Sequence, residues 1–171
     1  MSFYELAKAR YSVRKFSDKP VEKEVIDKII EAGRIAPTAH NNQPQMVYVL
    51  QSEEAMKKAN ELTPCIYGAP AALLVCYDKN AAWKNEQRPG YDSGECDATI
   101  VCTHMMLQAW ELGIGSCWVG MFDDIAVSKA FNLPDNIKPA AFLPIGYLVE
   151  NSRPAKLHDQ IRPIEETVAY L

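Results

Sequence analysis

The stretch "KARYSVRKF", residues 8–16, sets Arg10 and Arg14 four positions apart with Ser12 between them. Were the segment helical, that spacing would put both guanidinium groups on one face. A guanidinium offers paired planar donors to an anionic oxygen, and a neighbouring hydroxyl completes a cradle of the kind that holds phosphate. The competing reading is a solvated pair of cations, or one neutralised by nearby acids such as Glu22 and Glu24. A second polar cluster, Thr38, His40, Asn41, Asn42 and Gln43, carries amide donors and acceptors able to read the edge of a flat heterocycle. The same residue types also build turns and helix C-caps.

Other chemistries find less support. Gly113, Gly115 and Gly120 are spaced G-x-G-x(4)-G and follow a helix, so they do not form a dinucleotide-binding loop. A helix stop at Gly113 and a turn that lets a ligand approach the backbone at Gly120 is the simpler reading. Cys117 with His104 or His40 has no context that marks an activated nucleophile, and His104 reads as a hydrogen-bonded structural residue of a core helix. His40, His104 and His158 lack metal-ligand spacing. Cys65, Cys76, Cys96, Cys102 and Cys117 include no C-x-x-C and read as reduced thiols. A net charge of −4 argues against a general nucleic-acid or anionic-membrane surface. The start lacks an apolar signal core, and Ala69–Tyr77 is far short of the roughly 20 residues a membrane span needs, so a cytoplasmic address is expected.

These groups need a scaffold. A length of 171 residues, with 48% hydrophobic and 23% charged, suits one globular domain over residues 1–171. After a short N-terminal helix, apolar spacing predicts a helix over 20–35, with Asp18 and Pro20 as start signals. Residues 35–45 form a structured loop, 46–50 a strand, 52–62 a helix and 71–77 a buried strand. Residues 79–94 form a long loop. Residues 96–112 carry only Asp97 and Glu111 as charges and have apolar residues on more than one face, which predicts a helix buried on several sides. A turn and short strand occupy 113–122, Asp123 caps a helix through Phe131, and 140–149 forms the last strand. This order indicates an α+β sandwich, and the surplus apolar surface of the long helix suggests a homodimer.

Taken together, "RYSVRKF", "APTAHNNQPQ", "GIGSCWVGMFD" and Lys156 beyond a Gly-Tyr strand end resemble the short, single-domain branch of the flavin-dependent nitroreductase family, almost end to end. The resemblance implies a three-layer α-β-α sandwich with a mixed, mainly antiparallel sheet and a long central helix. It further implies a homodimer with two FMN sites, each built from both chains. By position, Arg10, Tyr11 and Ser12 resemble phosphate and ribityl contacts, and Arg14 the cation beside the flavin N1 and O2 edge. Pro37, Thr38, Ala39, Asn41 and Gln43 resemble the loop that reaches the partner's flavin. Val119, Gly120 and Met121 resemble the backbone opposite N5, and Lys156 a phosphate-binding lysine. Gln45 departs from a common tryptophan, and His158 from a common arginine for which Arg153 or Arg162 could substitute.

The activity so implied is hydride transfer from NADH or NADPH to flavin N5, then to a nitroaromatic, quinone or similar acceptor in a ping-pong cycle. The flavin supplies the redox chemistry, so no side chain need act as acid or nucleophile and no catalytic residue is named. Tyr67, Trp83, Tyr91 and Phe122 could line the acceptor slot or simply pack. Rival readings are a more specialised reductase, an FMN-storing or FMN-sensing module, and a ligand-free interaction domain.

Overall fold

Strand β2 (Ala71–Asp78) is apolar on both faces and its first six residues are buried, so both sides of the sheet around it must be covered. The computed structural model, which describes residues 2–171, shows how. In chain order the elements are α1 (Phe3–Ala9), α2 (Lys23–Arg34), β1 (Gln45–Leu50), α3 (Glu53–Leu62), β2, α4 (Gly94–Glu111), β3 (Ile114–Ser116), α5 (Asp124–Ala130) and β4 (Ile137–Tyr147). The sheet order is β1-β2-β4-β3, and every ladder is antiparallel. Parallel pairing enters through the isolated bridge between Ser12 and Ser116. Because side chains alternate across a strand, Leu73 and Val75 pack with α2 and α4, while Leu74 and Cys76 pack with Tyr11, Val13, Ile66 and Val127 on the other side. The result is the α+β, three-layer arrangement with its long helix across one face. No helix among the described residues is long and apolar enough to cross a membrane.

Several boundaries move, each for a local reason. β4 starts at Ile137 and not at residue 140, because a bulge lets it run through Pro139. The register steps from Val75–Ala141 to Cys76–Pro139, so Ala140 has no partner and the proline imposes no missing donor on a regular ladder. Helix α2 starts at Lys23 after an extended Glu22, and neither Asp18 nor Pro20 starts it. The Glu22 carboxylate turns instead to the sheet, accepting from the Tyr147 hydroxyl at 2.6 Å and pairing with Lys19 at 3.1 Å. The Tyr147 hydrogen bond leads in holding its pKa down to about 2. This bridge is therefore complete above the ordinary carboxylate range and is lost as pH falls through that range towards about 2. Asp123 does cap α5, accepting from the Ala126 N–H at 2.9 Å.

Helix α4 departs furthest from expectation. It is buried along one stripe, Gly94, Asp97, Ala98, Val101, Cys102, Met105 and Ala109, while Cys96, Thr99, Ile100 and Thr103 on the opposite side are exposed in a single chain. His104 is half-buried at a surface groove with no hydrogen-bond partner among the described residues, so it is not the bonded core histidine expected. All five cysteines are free, and burial pushes the Cys76 and Cys102 thiols up to about 12, which keeps them unreactive.

One close approach fixes the N-terminal segment against the sheet. A Cβ at Gly115 would lie 2.8 Å from a methyl carbon of Val13. Gly115→Ala is expected to destabilise the protein by about 1–3 kcal/mol through overpacking. Adding Val13→Ala should recover part of that loss, as read from the chemical-denaturation midpoints of both variants.

Candidate functional site: a cationic strand beside an open cavity

Helix α1 stops at Arg10, whose backbone is extended at φ −64° and ψ 132°, so the Arg10–Arg14 segment is strand-like and not helical. Period-two alternation reaches the same end by another route. Tyr11, Val13 and Phe16 point inward and are buried, leaving Arg10, Ser12 and Arg14 on the outer side. Backbone pairing holds the segment: Val13 N–H donates to Ser116 at 2.9 Å, Ser17 N–H donates to Tyr147 at 2.8 Å, and Phe16 bridges Leu148.

The C-terminal segment is fastened to the same place. Tyr11 packs edge-on against Trp110 at 4.9 Å and its hydroxyl donates to Ser152 Oγ at 2.8 Å. His158 Nε2 lies 3.2 Å from the Lys8 carbonyl, which can only accept, so that nitrogen carries the proton. Between these fastenings lies a cavity of about 350 Å³ lined by Tyr11, Ser12, Arg14, Ala155, Leu157 and His158. An adjoining cleft of about 380 Å³ shares Ser12, Arg14 and Ala155 and adds Lys15 and Arg153. No carboxylate lines either space.

The cations here are free of acids. Among the described residues, none of the six ion pairs includes Arg10, Arg14, Lys15, Arg153 or Lys156. Pairing of Arg10 or Arg14 with Glu22 or Glu24 therefore does not occur, and the one hydrogen bond from Arg14 runs to the Ser12 carbonyl at 3.4 Å. Arg162 is tied to Glu166 at 3.1 Å, and Lys156 is exposed and outside the cavity wall. Behind the fork sits Cys117. Burial pushes its thiol up, while the charge of Arg14, the Ser12 hydroxyl and the charge of Arg10 act in the opposite sense. Tyr67 also reaches this region. Its phenol is held up chiefly by the Cys65 thiol, with Arg14 acting in the opposite sense.

Two further segments carry expected site residues. In the turn after Cys117, Val119 is buried and exchanges both backbone hydrogen bonds with Phe142 at 2.9 Å, which fixes the start of the turn. Gly120 and Met121 are displayed outward, with Met121 Sδ 3.9 Å from Cys65 Sγ. In the other segment, Pro37 to Gln43, His40, Asn41 and Gln43 have positive φ of 53°, 55° and 49°. Left-handed backbone costs about 1–2 kcal/mol per ordinary L-residue, so this loop must be held from outside. Gln43 N–H donates to Thr38 Oγ1 at 3.0 Å, Ala39 N–H donates to Asp97 Oδ1 at 2.9 Å, and the His40 ring stacks on Trp83 at 5.4 Å.

The cavity beside His40 is lined by Trp83, Lys84, Asn85, Glu86 and Gln87, with no residue of the fork. Of the aromatics suggested for an acceptor slot, Trp83 belongs to the loop, Tyr91 contacts Cys96 at 3.5 Å, and Phe122 packs edge-on against the core ring Phe142 at 5.2 Å. Only Tyr67 stands beside the fork. Asp97 is the functional candidate that sequence reading passed over, although a lone charge inside a helix's apolar stripe was a signal that could have found it.

The Nitroreductase family model matches residues 7–65 and 60–147. The chain belongs to the nitroreductase family. A nitroreductase family protein from Clostridium difficile 630 superposes with a TM-score of 0.92 at 42% identity, covering 99% of this chain and 98% of that one. An FMN-dependent nitroreductase from Clostridium difficile R20291 superposes at 0.78 with 26% identity, covering 98% of each chain. The FMN reductase [NAD(P)H] of Bacillus subtilis is 33% identical over 158 residues, 82% of this chain and 64% of its own. The fork, the loop and the displayed turn all lie inside the nitroreductase match, whereas Lys156 and His158 lie beyond it.

Arg14→Gln is expected to move the pH midpoint of Cys117 alkylation upward, because it removes one of the charges that favour the thiolate. Arg14→Lys should leave the midpoint near the wild-type position. Site-resolved mass spectrometry of iodoacetamide labelling against pH measures both.

Proposed function

We propose that this nitroreductase is an FMN-dependent oxidoreductase that uses NADH or NADPH to reduce nitroaromatic, quinone or similar small acceptors, and that it works as a homodimer with sites shared between copies. The observation that carries the reading is the pair of guanidinium groups, Arg10 and Arg14, that take part in none of the ion pairs among the described residues and flank Ser12, with Ser12 and Arg14 lining a cavity without carboxylates. That donor set suits a phosphorylated, anionic cofactor. The names of the Bacillus subtilis FMN reductase and the FMN-dependent Clostridium difficile nitroreductase support the same choice.

When bound, FMN supplies hydride acceptance and donation at N5. The chain's own residues bind and orient. Arg10, Ser12 and His158 would hold the phosphate and ribityl end, with Lys156 or Arg153 available from the same C-terminal segment. Arg14 would hold the N1 and O2 edge, where its fixed positive charge would favour negative charge on the ring. The outward backbone of Gly120 and Met121 would face the ring, and Tyr67 would border the acceptor's side.

A second copy follows from what one chain leaves open. Asn41 and Gln43 are exposed, the cavity beside their loop takes in no residue of the fork, and α4 leaves Ile100 and Thr103 uncovered. The Gln45 amide oxygen, next to that loop, is buried without a partner among the described residues. A partner whose loop reaches this chain's fork answers these features at once.

Under anaerobic mixing with NADH or NADPH, the flavin-loaded protein is expected to lose its oxidised absorption; a spectrum that stays yellow with both would overturn the reading. Arg10→Ala should weaken FMN binding by about 1.5–3 kcal/mol, the worth of a charge-assisted contact, as measured by fluorescence titration.

A further inference from the structure

We infer that Asp97 is a positioning residue for the flavin site of the neighbouring copy: it fixes the 37–43 loop in the shape that reaches the partner's fork. The inference rests on the shared-site reading above.

Asp97 is the one carboxylate among the buried polar groups of the described residues, at 3% exposure. It makes no ion pair. A buried charge without a cation is a poor choice for stability alone, and the apolar stripe it interrupts would accept alanine or leucine. What it does have is two donors from two different loops. Oδ1 accepts from the Ala39 N–H at 2.9 Å, and Oδ2 accepts from the Ser93 hydroxyl at 2.7 Å. Ser93 Oγ in turn accepts from the Trp83 N–H at 3.2 Å, and Trp83 stacks on His40. One carboxylate thus grips the 37–43 loop at two adjacent residues of its tight turn, directly at Ala39 and through Ser93 and Trp83 at His40.

The post itself is rigid. A Cβ at Gly94 would lie 2.0 Å from the Tyr77 ring, so the first turn of α4 is pressed against β2 and leaves Asp97 little freedom to shift. The loop, by contrast, contains three L-residues at positive φ and depends on such anchors to keep that conformation. Asn41 and Gln43 remain exposed, and the cavity beside the loop includes no residue of the fork. The consequence of loosening the grip should therefore appear at the other copy's site.

The test is a mixed dimer, with the two chains carrying different affinity tags, one Arg14→Ala and the other Asp97→Asn. Asparagine keeps the shape of the side chain but cannot accept both hydrogen bonds. The Asp97→Asn homodimer is expected to bind FMN about tenfold or more weakly, as loss of a charge-assisted hydrogen bond implies. In the mixed dimer both lesions fall in one site if the loop acts across the interface. The other site is then intact, so one FMN per dimer should bind with the wild-type dissociation constant. In the flavin-free Asp97→Asn protein, the Ala39 amide should exchange faster while the β2 and β4 amides do not change. A homodimer that binds FMN within twofold of wild type, or a mixed dimer with no tight site, would overturn the inference. Should Asp97→Asn fail to fold, Ser93→Ala, which removes the donor to Asp97 Oδ2 and the acceptor of the Trp83 N–H but keeps the Ala39 bond, takes its place in the same mixed dimer with the same criterion. Wild-type protein that takes up no FMN would defeat the shared-site reading itself and is measured separately.

Discussion

The pairing of a short extended segment with the sheet governs what this protein can bind. Val13 donates to Ser116, and its side chain fills the space left by Gly115. With Val13 and Tyr11 locked inward, the intervening residues have no freedom in which side they present. Positive charge is thereby set on a rigid edge, beside walls that contain no acid to neutralise it. A flexible arm bearing the same arginines would lose more conformational freedom on gripping an anion and would hold it less selectively.

The two halves of the proposed site are built on different physics. The fork is a product of backbone pairing and close packing, which depend little on pH or salt. The loop is a strained turn tied down by a buried carboxylate, a hydroxyl and a stacked ring. A site assembled from one half of each kind, contributed by separate copies, couples cofactor binding to association. On that proposal each protomer alone would present an incomplete surface, and occupancy and dimerisation would reinforce each other by mass action.

Much of the fold was legible because the signals were local and redundant. The apolar run of β2 and the Asp123 cap each predict an element from neighbouring residues. Where sequence reading slipped, a tertiary contact outweighed a local rule. The last strand was read from residue 140, but a bulge at Ala140 lets it begin at Ile137, and Asp18 was read as a helix start although the chain is still extended at Glu22. The fork was legible by residue type, but its conformation was not, since arginines four apart suit a helix and arginines two pleats apart suit a strand equally. Asp97 was read as one of two charges on a core helix. Its role depends on donors 58 positions and 4 positions away, and no pattern along the chain announces them.

The cavity beside Ser12 is walled by two segments far apart in sequence, joined by contacts such as Tyr11 with Ser152, 141 positions on, and Lys8 with His158, 150 positions on. During synthesis the wall at Tyr11 and Ser12 is made well before its counterpart at Ala155, Leu157 and His158 leaves the ribosome. The sheet, complete by Tyr147, can form ahead of that moment. Cleavage between Tyr147 and Ala155 would likewise spare the four strands while removing one wall of the pocket.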